Sequence, residues 1–466
     1  MIAIACALLS AIGFYFSVGL GDQWWLAWLA PIPVLWYAFG NTKPWPAFFV
    51  AFFAMALGVA NLLTAYGGTM PLPVLALIIA GPSIAFAVAV VGARRVYQSL
   101  GAVAAMFAFA ALWTMFDLFA SFSAAGGSVS TPAAAEVGAP VLMQTASLVG
   151  FLGVTFLMGA VAAGIAATLR ARNPAPALIA AALFAVNAGY GAWRMSEPPK
   201  STMHVALIES DDTVGKFQKE NKAATFRAID AYAAEIAKLK GSHVQLIVLP
   251  ENISRVAPAW RSEAQAKLAA AVPPGATLVA GFNSFVDGAQ RNVSWAYTPG
   301  ARTPVTYEKR RLVPVLESAV YTPGPGPRAL ANGTGLEICK DMDFQAMIRA
   351  DEVATHPMLL AVPAWDFDKD DWSHARVAVI RSIENGVPMA RTARDGLLTL
   401  NDRYGRIVAK ARTVGPFTTL IGDLPLDGRG GGTLYDRIGD VWGWLCAVVG
   451  IGLVALSFVR RKSSPE

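Results

Sequence analysis

Charge is scarce in this chain: Asp, Glu, Lys and Arg make up 15% of its 466 residues, against 55% hydrophobic residues. That balance excludes an ordinary water-soluble protein of this length and implies residence in a membrane. Cysteine is rarer still, three in total. Cys6 and Cys446 fall inside apolar runs, so there is no disulfide framework and no metal-type spacing, and Cys339 alone lies in a polar context. A G-x-S-x-G elbow is also missing, which removes the serine-hydrolase signature. The net charge is +6, but many of the basic residues flank apolar segments, so nucleic acid is not the reason for the excess.

What is present divides the sequence. Residues 1–200 and 441–459 hold long uncharged runs, while 201–440 has mixed composition. Crossing a hydrocarbon core of about 30 Å takes roughly 20 apolar residues as a helix. About eight such segments are readable, near 2–20, 24–40, 46–66, 72–93, 101–121, 143–169, 177–195 and 441–459. The first lacks the basic start of a signal peptide and is followed at once by more apolar sequence, so it is expected to be retained. The expected organisation is a helical domain over 1–200, a water-facing domain over 201–435, and a final span with a basic tail over 436–466.

Lys43, Arg94, Arg95, Arg170, Arg172 and the tail Arg460, Arg461 and Lys462 fall on one side if both termini face the cytoplasm. Eight spans then place 201–435 on the periplasmic or extracellular face. Asp117 is a carboxylate within a span, near enough to its outer end to reach the interface. Trp24, Trp25, Trp28, Trp442 and Trp444 fit an interfacial aromatic belt.

From residue 204 onward, short apolar strands alternate with amphipathic helices, the pattern of a layered α/β domain. HVALIES, VQLIVLPE, TLVAGF, NVSWAYTP, GLEIC, MLLAVPAW, VPMART, GLLTLND and RIVAKA read as strands. Residues 221–240 read as a helix stopped by Gly241, with further helices near 343–355 and 371–385. Two sheets faced with helices are expected.

Three reactive side chains stand at or beside the ends of these elements. Glu251 closes VQLIVLPE, Lys309 sits in VTYEKRRLVP, and Cys339 closes GLEIC. Ends of strands in α/β sheets are where side chains from distant parts of a chain converge. A thiol with an ordinary pKa of about 8.5 needs a base or a cation to become a nucleophile near neutrality. Glu251 can take its proton, and Lys309 can stabilise the oxyanion of a tetrahedral intermediate. Together they describe acyl transfer through a thioester. His374 tempts a Cys–His reading, but no papain-type signature accompanies it. The sequons at Asn252, Asn292 and Asn332 read as chance matches.

The ordered set LPENIS, YEKRRLVPVLE and GLEICKDMDF resembles the Glu, Lys and Cys motifs of the nitrilase superfamily of carbon–nitrogen hydrolases. With the preceding spans and the closing GGTLYDRIGDVWGW before a last helix, the chain more narrowly resembles the bacterial apolipoprotein N-acyltransferases. The resemblance implies an αββα nitrilase-like sandwich on a helical membrane base, with no metal or organic cofactor. It implies Cys339 as nucleophile, Glu251 as general base and acid, Lys309 as oxyanion cation and Glu317 as a second carboxylate. The implied donor is a phospholipid, and the implied acceptor is the α-amino group of the diacylglyceryl cysteine of a lipoprotein or lipopeptide. No nucleic-acid partner is implied, and a monomer in the bacterial inner membrane is favoured.

Lys340 and Asp341 stand where the family has Tyr-Glu, LVPVLE replaces LVPFGE, and VPAWDF is closer to soluble nitrilases. Lys340 is expected to add a second cation beside Cys339 that favours the thiolate, with Asp341 as a supporting residue. Trp365, Phe367 and Trp372 are candidates for lining a substrate path. The alternatives are a membrane-anchored amidase using the same thioester chemistry with water as second nucleophile, and a non-catalytic sensor or transporter whose nitrilase-like domain only binds ligand.

Overall fold

The computed structural model describes residues 1–40, 43–68, 70–124, 126–211, 220–366, 368–413, 415–428, 430 and 432–459. They form two compact units, one of residues 1–197 with the C-terminal residues from 437, the other of residues 198–436.

In the first unit, six helices are long and apolar enough to cross a membrane: Pro44–Tyr66, Leu72–Leu100, Ala102–Ser121, Phe151–Ala171, Ala175–Arg194 and Val441–Val459. The first two apolar runs of the sequence form shorter helices. Ile2–Ser17 has 16 residues, about 24 Å at 1.5 Å per residue. The second run divides into Trp24–Leu29 and Ile32–Phe39, with Pro31 at the break, where a residue without an N–H cannot continue the ladder. Each of the eight expected spans is thus helical, six of them of full spanning length among the described residues. Asp117 is buried within the helical unit: its Oδ2 accepts hydrogen bonds from Thr131 Oγ1 at 2.8 Å and Thr155 Oγ1 at 2.6 Å. Two hydroxyl donors are what a carboxylate needs to be tolerated in an apolar bundle.

The second unit contains two six-stranded sheets. The strands are β1 Ser201–Glu209, β2 Leu246–Val248, β3 Thr277–Val286, β4 Ala289–Tyr297, β5 Val305–Glu308, β6 Arg328–Ala329, β7 Thr334–Leu336, β8 Leu359–Trp365, β9 Met389–Arg394, β10 Leu397–Asn401, β11 Ile407–Arg412 and β12 Thr418–Leu426. One sheet runs β12-β1-β2-β3-β4-β5 and the other β11-β10-β9-β8-β7-β6. Each has a parallel centre, β1-β2-β3 in one and β7-β8-β9 in the other, with antiparallel flanks.

Alternation along the strands fixes which faces meet, because successive side chains point to opposite sides. Val205, Leu207 and Val248 pack with Leu336, Leu359, Ala361 and Leu400 of the other sheet, forming the layer between the sheets. Their neighbours Ala206, Ile208 and Ile247 face outward onto Ile229, Tyr232 and Leu268 of the helices Lys222–Ala237 and Arg261–Ala271. On the far side Leu360, Val362 and Met389 meet Ile348 and Ala378 of the helices Gln345–Thr355 and Asp371–Asn385. The layers are therefore helix, sheet, sheet, helix, the αββα sandwich expected for this domain.

Local signals account for individual elements. Asn221 caps its helix, its side chain accepting from the Ala224 N–H at 3.0 Å. Strands β2 and β8 are buried along their whole length, which is why they read as continuous apolar runs.

Candidate active site

Glu251 and Cys339 sit just past strands of the parallel centres of the two sheets, and Lys309 just past the edge strand β5. Glu251 follows β2 after Pro250, and its backbone N–H donates to the Ala364 carbonyl of β8 at 3.2 Å, tying one sheet to the other. Gly281 on β3 lies directly against this turn, donating its N–H to the Pro250 carbonyl at 3.0 Å. A Cβ at Gly281 would stand 2.6 Å from both Glu251 Cα and the Pro250 oxygen, and backbone cannot yield as a flexible side chain can. Gly281→Ala is therefore expected to lower stability by about 1–3 kcal/mol, the usual range for overpacking, with a matching fall in the melting temperature of the detergent-purified protein. An unchanged melting temperature would show that the turn carrying Glu251 is free to move.

Lys309 follows β5 and is buried, with its N–H donating to the Asn292 carbonyl at 2.9 Å. Its Nζ donates to Glu251 Oε1 at 2.8 Å and lies 2.8 Å from Glu317 Oε2. Burial works to neutralise the ammonium, but Glu251 and Glu317 more than offset it and hold the lysine well above its ordinary pKa. Glu251 is pushed up by burial, with Lys309 opposing and Glu317 reinforcing. Asn292, on β4, completes the group by donating from Nδ2 to Glu251 Oε1 at 2.5 Å and to Glu317 Oε1 at 2.9 Å. Glu317 is fixed from behind by the Val313 N–H at 2.8 Å.

Cys339 opens a short 3-10 turn, Cys339–Asp343, just beyond β7. Its φ is +43°, a left-handed conformation that non-glycine residues seldom adopt away from functional turns. The thiol is directed at the Trp365 carbonyl, 3.5 Å from Sγ. Burial and the Glu251 carboxylate push the thiol well above its ordinary pKa, with Lys309 and Arg391 pulling the other way and Asp366 adding to the rise. One lysine shared between two carboxylates leaves the site short of positive charge, so the sulfur keeps its proton at rest.

Of the expected supporting residues, Asp341 is a buried brace. Its Oδ1 accepts from the backbone N–H groups of Arg310 at 3.2 Å and Arg311 at 2.8 Å, and its Oδ2 from the Ile338 N–H at 3.2 Å and the Tyr307 hydroxyl at 2.8 Å. One carboxylate thereby links the lysine segment to the cysteine turn. Lys340, expected as a second cation beside Cys339, has an acidic partner of its own. Its Nζ pairs with Asp343 at 3.0 Å and lies over the Phe344 ring. The second cation whose charge reaches Cys339 is Arg391.

Trp365 presents its carbonyl to the thiol, while its indole N–H donates to Asp395 Oδ2 at 2.8 Å. Trp372 stacks with the Lys410 ammonium at the start of its helix. Phe367 lies outside the described residues. His374 pairs with Asp370 one turn earlier on its own helix, at 3.2 Å. Asn292, Asp366 and Arg391 were not singled out as site residues by sequence reasoning. An asparagine at an inward position of NVSWAYT, and an arginine inside the apolar strand MARTAR, were the signals available. No group of three or more metal-ligating side chains is present among the described residues.

A model of the apolipoprotein N-acyltransferase N-terminal domain matches residues 8–164. The chain is 25% identical to an apolipoprotein N-acyltransferase of Geobacter metallireducens, covering 99% of this chain and 96% of that one. It is 26% identical to an apolipoprotein N-acyltransferase of Allorhizobium ampelinum, covering 85% and 79% respectively. Among solved structures, an amidase from Nesterenkonia sp. aligns with 48% of this chain and 91% of its own at 21% identity and a TM-score of 0.40. With several membrane-length helices, an αββα unit and relatives aligned over most of its length, this multi-pass membrane protein is similar to the apolipoprotein N-acyltransferases.

Proposed function

We propose that this chain moves a fatty acyl group from a phospholipid, by way of a thioester on Cys339, to the α-amino group of the N-terminal diacylglyceryl cysteine of lipoproteins. The observation that carries the reading is the buried cluster in which the Lys309 ammonium is held between Glu251 and Glu317, within electrostatic reach of the Cys339 thiol. As Cys339 Sγ attacks the donor ester, Glu251 takes the thiol proton, a carbon–sulfur bond forms and the carbon–oxygen bond breaks. Glu251 returns the proton to the departing lysophospholipid oxygen. The acceptor amine then attacks the thioester, gives its proton to Glu251, and the thiol is restored. Lys309 is placed to stabilise the oxyanion in both halves.

The surroundings of Glu317 support a lipid donor over a small polar amide. Val315 and Leu316 on one side and Val320 on the other are solvent-exposed, Val315 to 82%. Exposed apolar side chains next to the site offer a surface on which a lipid chain can rest. The distribution of Lys43, Arg94, Arg95, Arg170 and Arg172 supports both termini in the cytoplasm and the catalytic unit on the periplasmic or extracellular face.

Intact mass spectrometry of the detergent-purified protein after exposure to phospholipid without acceptor tests the reading. A fatty-acyl mass increase that hydroxylamine removes, absent from Cys339→Ala, is expected. If no adduct forms while Cys339 still releases ammonia from simple amides, the chain is a membrane-anchored amidase instead.

A further inference from the structure

Behind the cysteine lies a second buried ion pair that the chemistry above does not use. Arg391, on β9, and Asp366, immediately after β8, are 2% and 0% exposed. The guanidinium grips the carboxylate with both ends, Nη1 to Oδ2 at 3.1 Å and Nη2 to Oδ1 at 2.5 Å, and Nη1 also reaches the Leu397 carbonyl at 3.4 Å. Asp366 donates its own N–H to the Arg394 carbonyl at 2.9 Å. The space for the carboxylate exists because residue 396 is glycine, where a Cβ would fall 2.3 Å from Asp366 Oδ2. Asp366 also directly follows Trp365, whose carbonyl receives the Cys339 thiol.

Burying such a pair is poor value as a stability device, since apolar residues of similar volume commonly do as well. Its position suggests another use. The charged groups that act on Cys339 come from four elements: Glu251 after β2, Lys309 after β5, Asp366 after β8 and Arg391 on β9. Lys309 is committed to Glu251 and Glu317, which leaves Arg391 and Asp366 as an opposed pair beside the sulfur.

We propose that Arg391 and Asp366 are positioning residues for the nucleophile: their bidentate pair fixes the Trp365 carbonyl against the Cys339 thiol and balances the charge beside it. The sulfur then keeps its proton until Glu251 removes it. The inference rests on Cys339 being the nucleophile of the proposed reaction. Its test reads the thiol without donor or acceptor, so it stands or falls separately from the identity of the substrates.

The experiment measures the rate of iodoacetamide alkylation of the Cys339 peptide in the full-length, detergent-purified protein from pH 6 to 10. Asp366→Asn leaves Arg391 uncompensated and is expected to alkylate roughly tenfold faster near pH 7.5, with the midpoint of its profile moved down, a tenfold change corresponding to one pH unit. Arg391→Gln leaves the carboxylate uncompensated and is expected to be slower by up to about tenfold, with the midpoint moved up. Arg391→Lys keeps the charge and is expected to stay within roughly threefold of wild type on the same scale. A purely structural role would loosen the site in both neutralised variants alike. Changes of the same sign in Asp366→Asn and Arg391→Gln, or rates within twofold of wild type in both, would overturn the proposal.

Discussion

Lys309→Met is expected to abolish measurable acyl transfer and also to destabilise the catalytic unit in a pH-dependent way. The loss of rate comes from removing the one cation committed to the site, and loss of an oxyanion donor commonly costs about 10²–10³ in rate. The loss of stability has a separate cause. Lys309 sits between two buried carboxylates, and removing one partner of a buried ion pair typically costs about 3–5 kcal/mol because the remaining charge is stranded. Glu251 and Glu317 would then share only the Asn292 amide as a common donor.

The sign with pH follows from what those carboxylates do. Stranded in an apolar site beside each other, they hold protons in the folded state to a higher pH than in the unfolded chain. Where the folded state binds more protons, stability falls as pH rises. The melting-temperature deficit of Lys309→Met relative to wild type should therefore be small near pH 5.5 and grow toward pH 8.5. A deficit that is flat across this range, or transfer retained above a tenth of wild type, would show that Lys309 is not the partner both carboxylates depend on.

The architecture was legible where chemistry is local. The helix Lys222–Ala237 shows its cap at Asn221, and the buried strands β2 and β8 are apolar throughout. Strand β12 was missed for a physical reason: Thr418–Leu426 alternates between partly buried and exposed positions over its first six residues and contains Gly422 and Pro425. Only its pairing with β1, more than 200 residues earlier in the chain, makes it a strand. The division of the second apolar run at Pro31 was hidden for the opposite reason, since composition reports how apolar a segment is and not whether its backbone continues.

The site divides along the same line. Glu251, Lys309 and Cys339 stood out because reactive residue types at strand ends carry a chemical meaning of their own. Asn292 did not, because an asparagine acquires its role only when two carboxylates are brought to its amide, and in the sequence it read as a chance sequon. Lys340 illustrates the reverse direction. Adjacency in sequence suggested a charge beside Cys339, but the 3-10 turn gave its ammonium to Asp343, while Arg391, 52 positions further along, supplies the charge that reaches the sulfur.

Glu251→Gln separates a base from a mere negative charge. Glutamine has nearly the shape of glutamate, and its carbonyl can still accept from Lys309 Nζ and Asn292 Nδ2, so the fold should survive. Two effects then oppose each other. The carboxylate is, after burial, the largest influence raising the Cys339 pKa, so its removal should ease ionisation of the thiol and speed alkylation by iodoacetamide. Its removal also takes away the acceptor for the thiol proton and the donor to the leaving oxygen, a loss commonly of about 10²–10⁴ in rate. The expected variant thus has a more reactive cysteine and a slower enzyme, with residual thioester formation that increases with pH as thiolate becomes available unaided. Parallel measurement of alkylation and hydroxylamine-labile acylation on the same preparation checks this. If acylation rose together with alkylation, a preformed thiolate would be the nucleophile and Glu251 only a brake on its ionisation. If both fell together, Glu251 would be holding Cys339 in place and not exchanging protons with it.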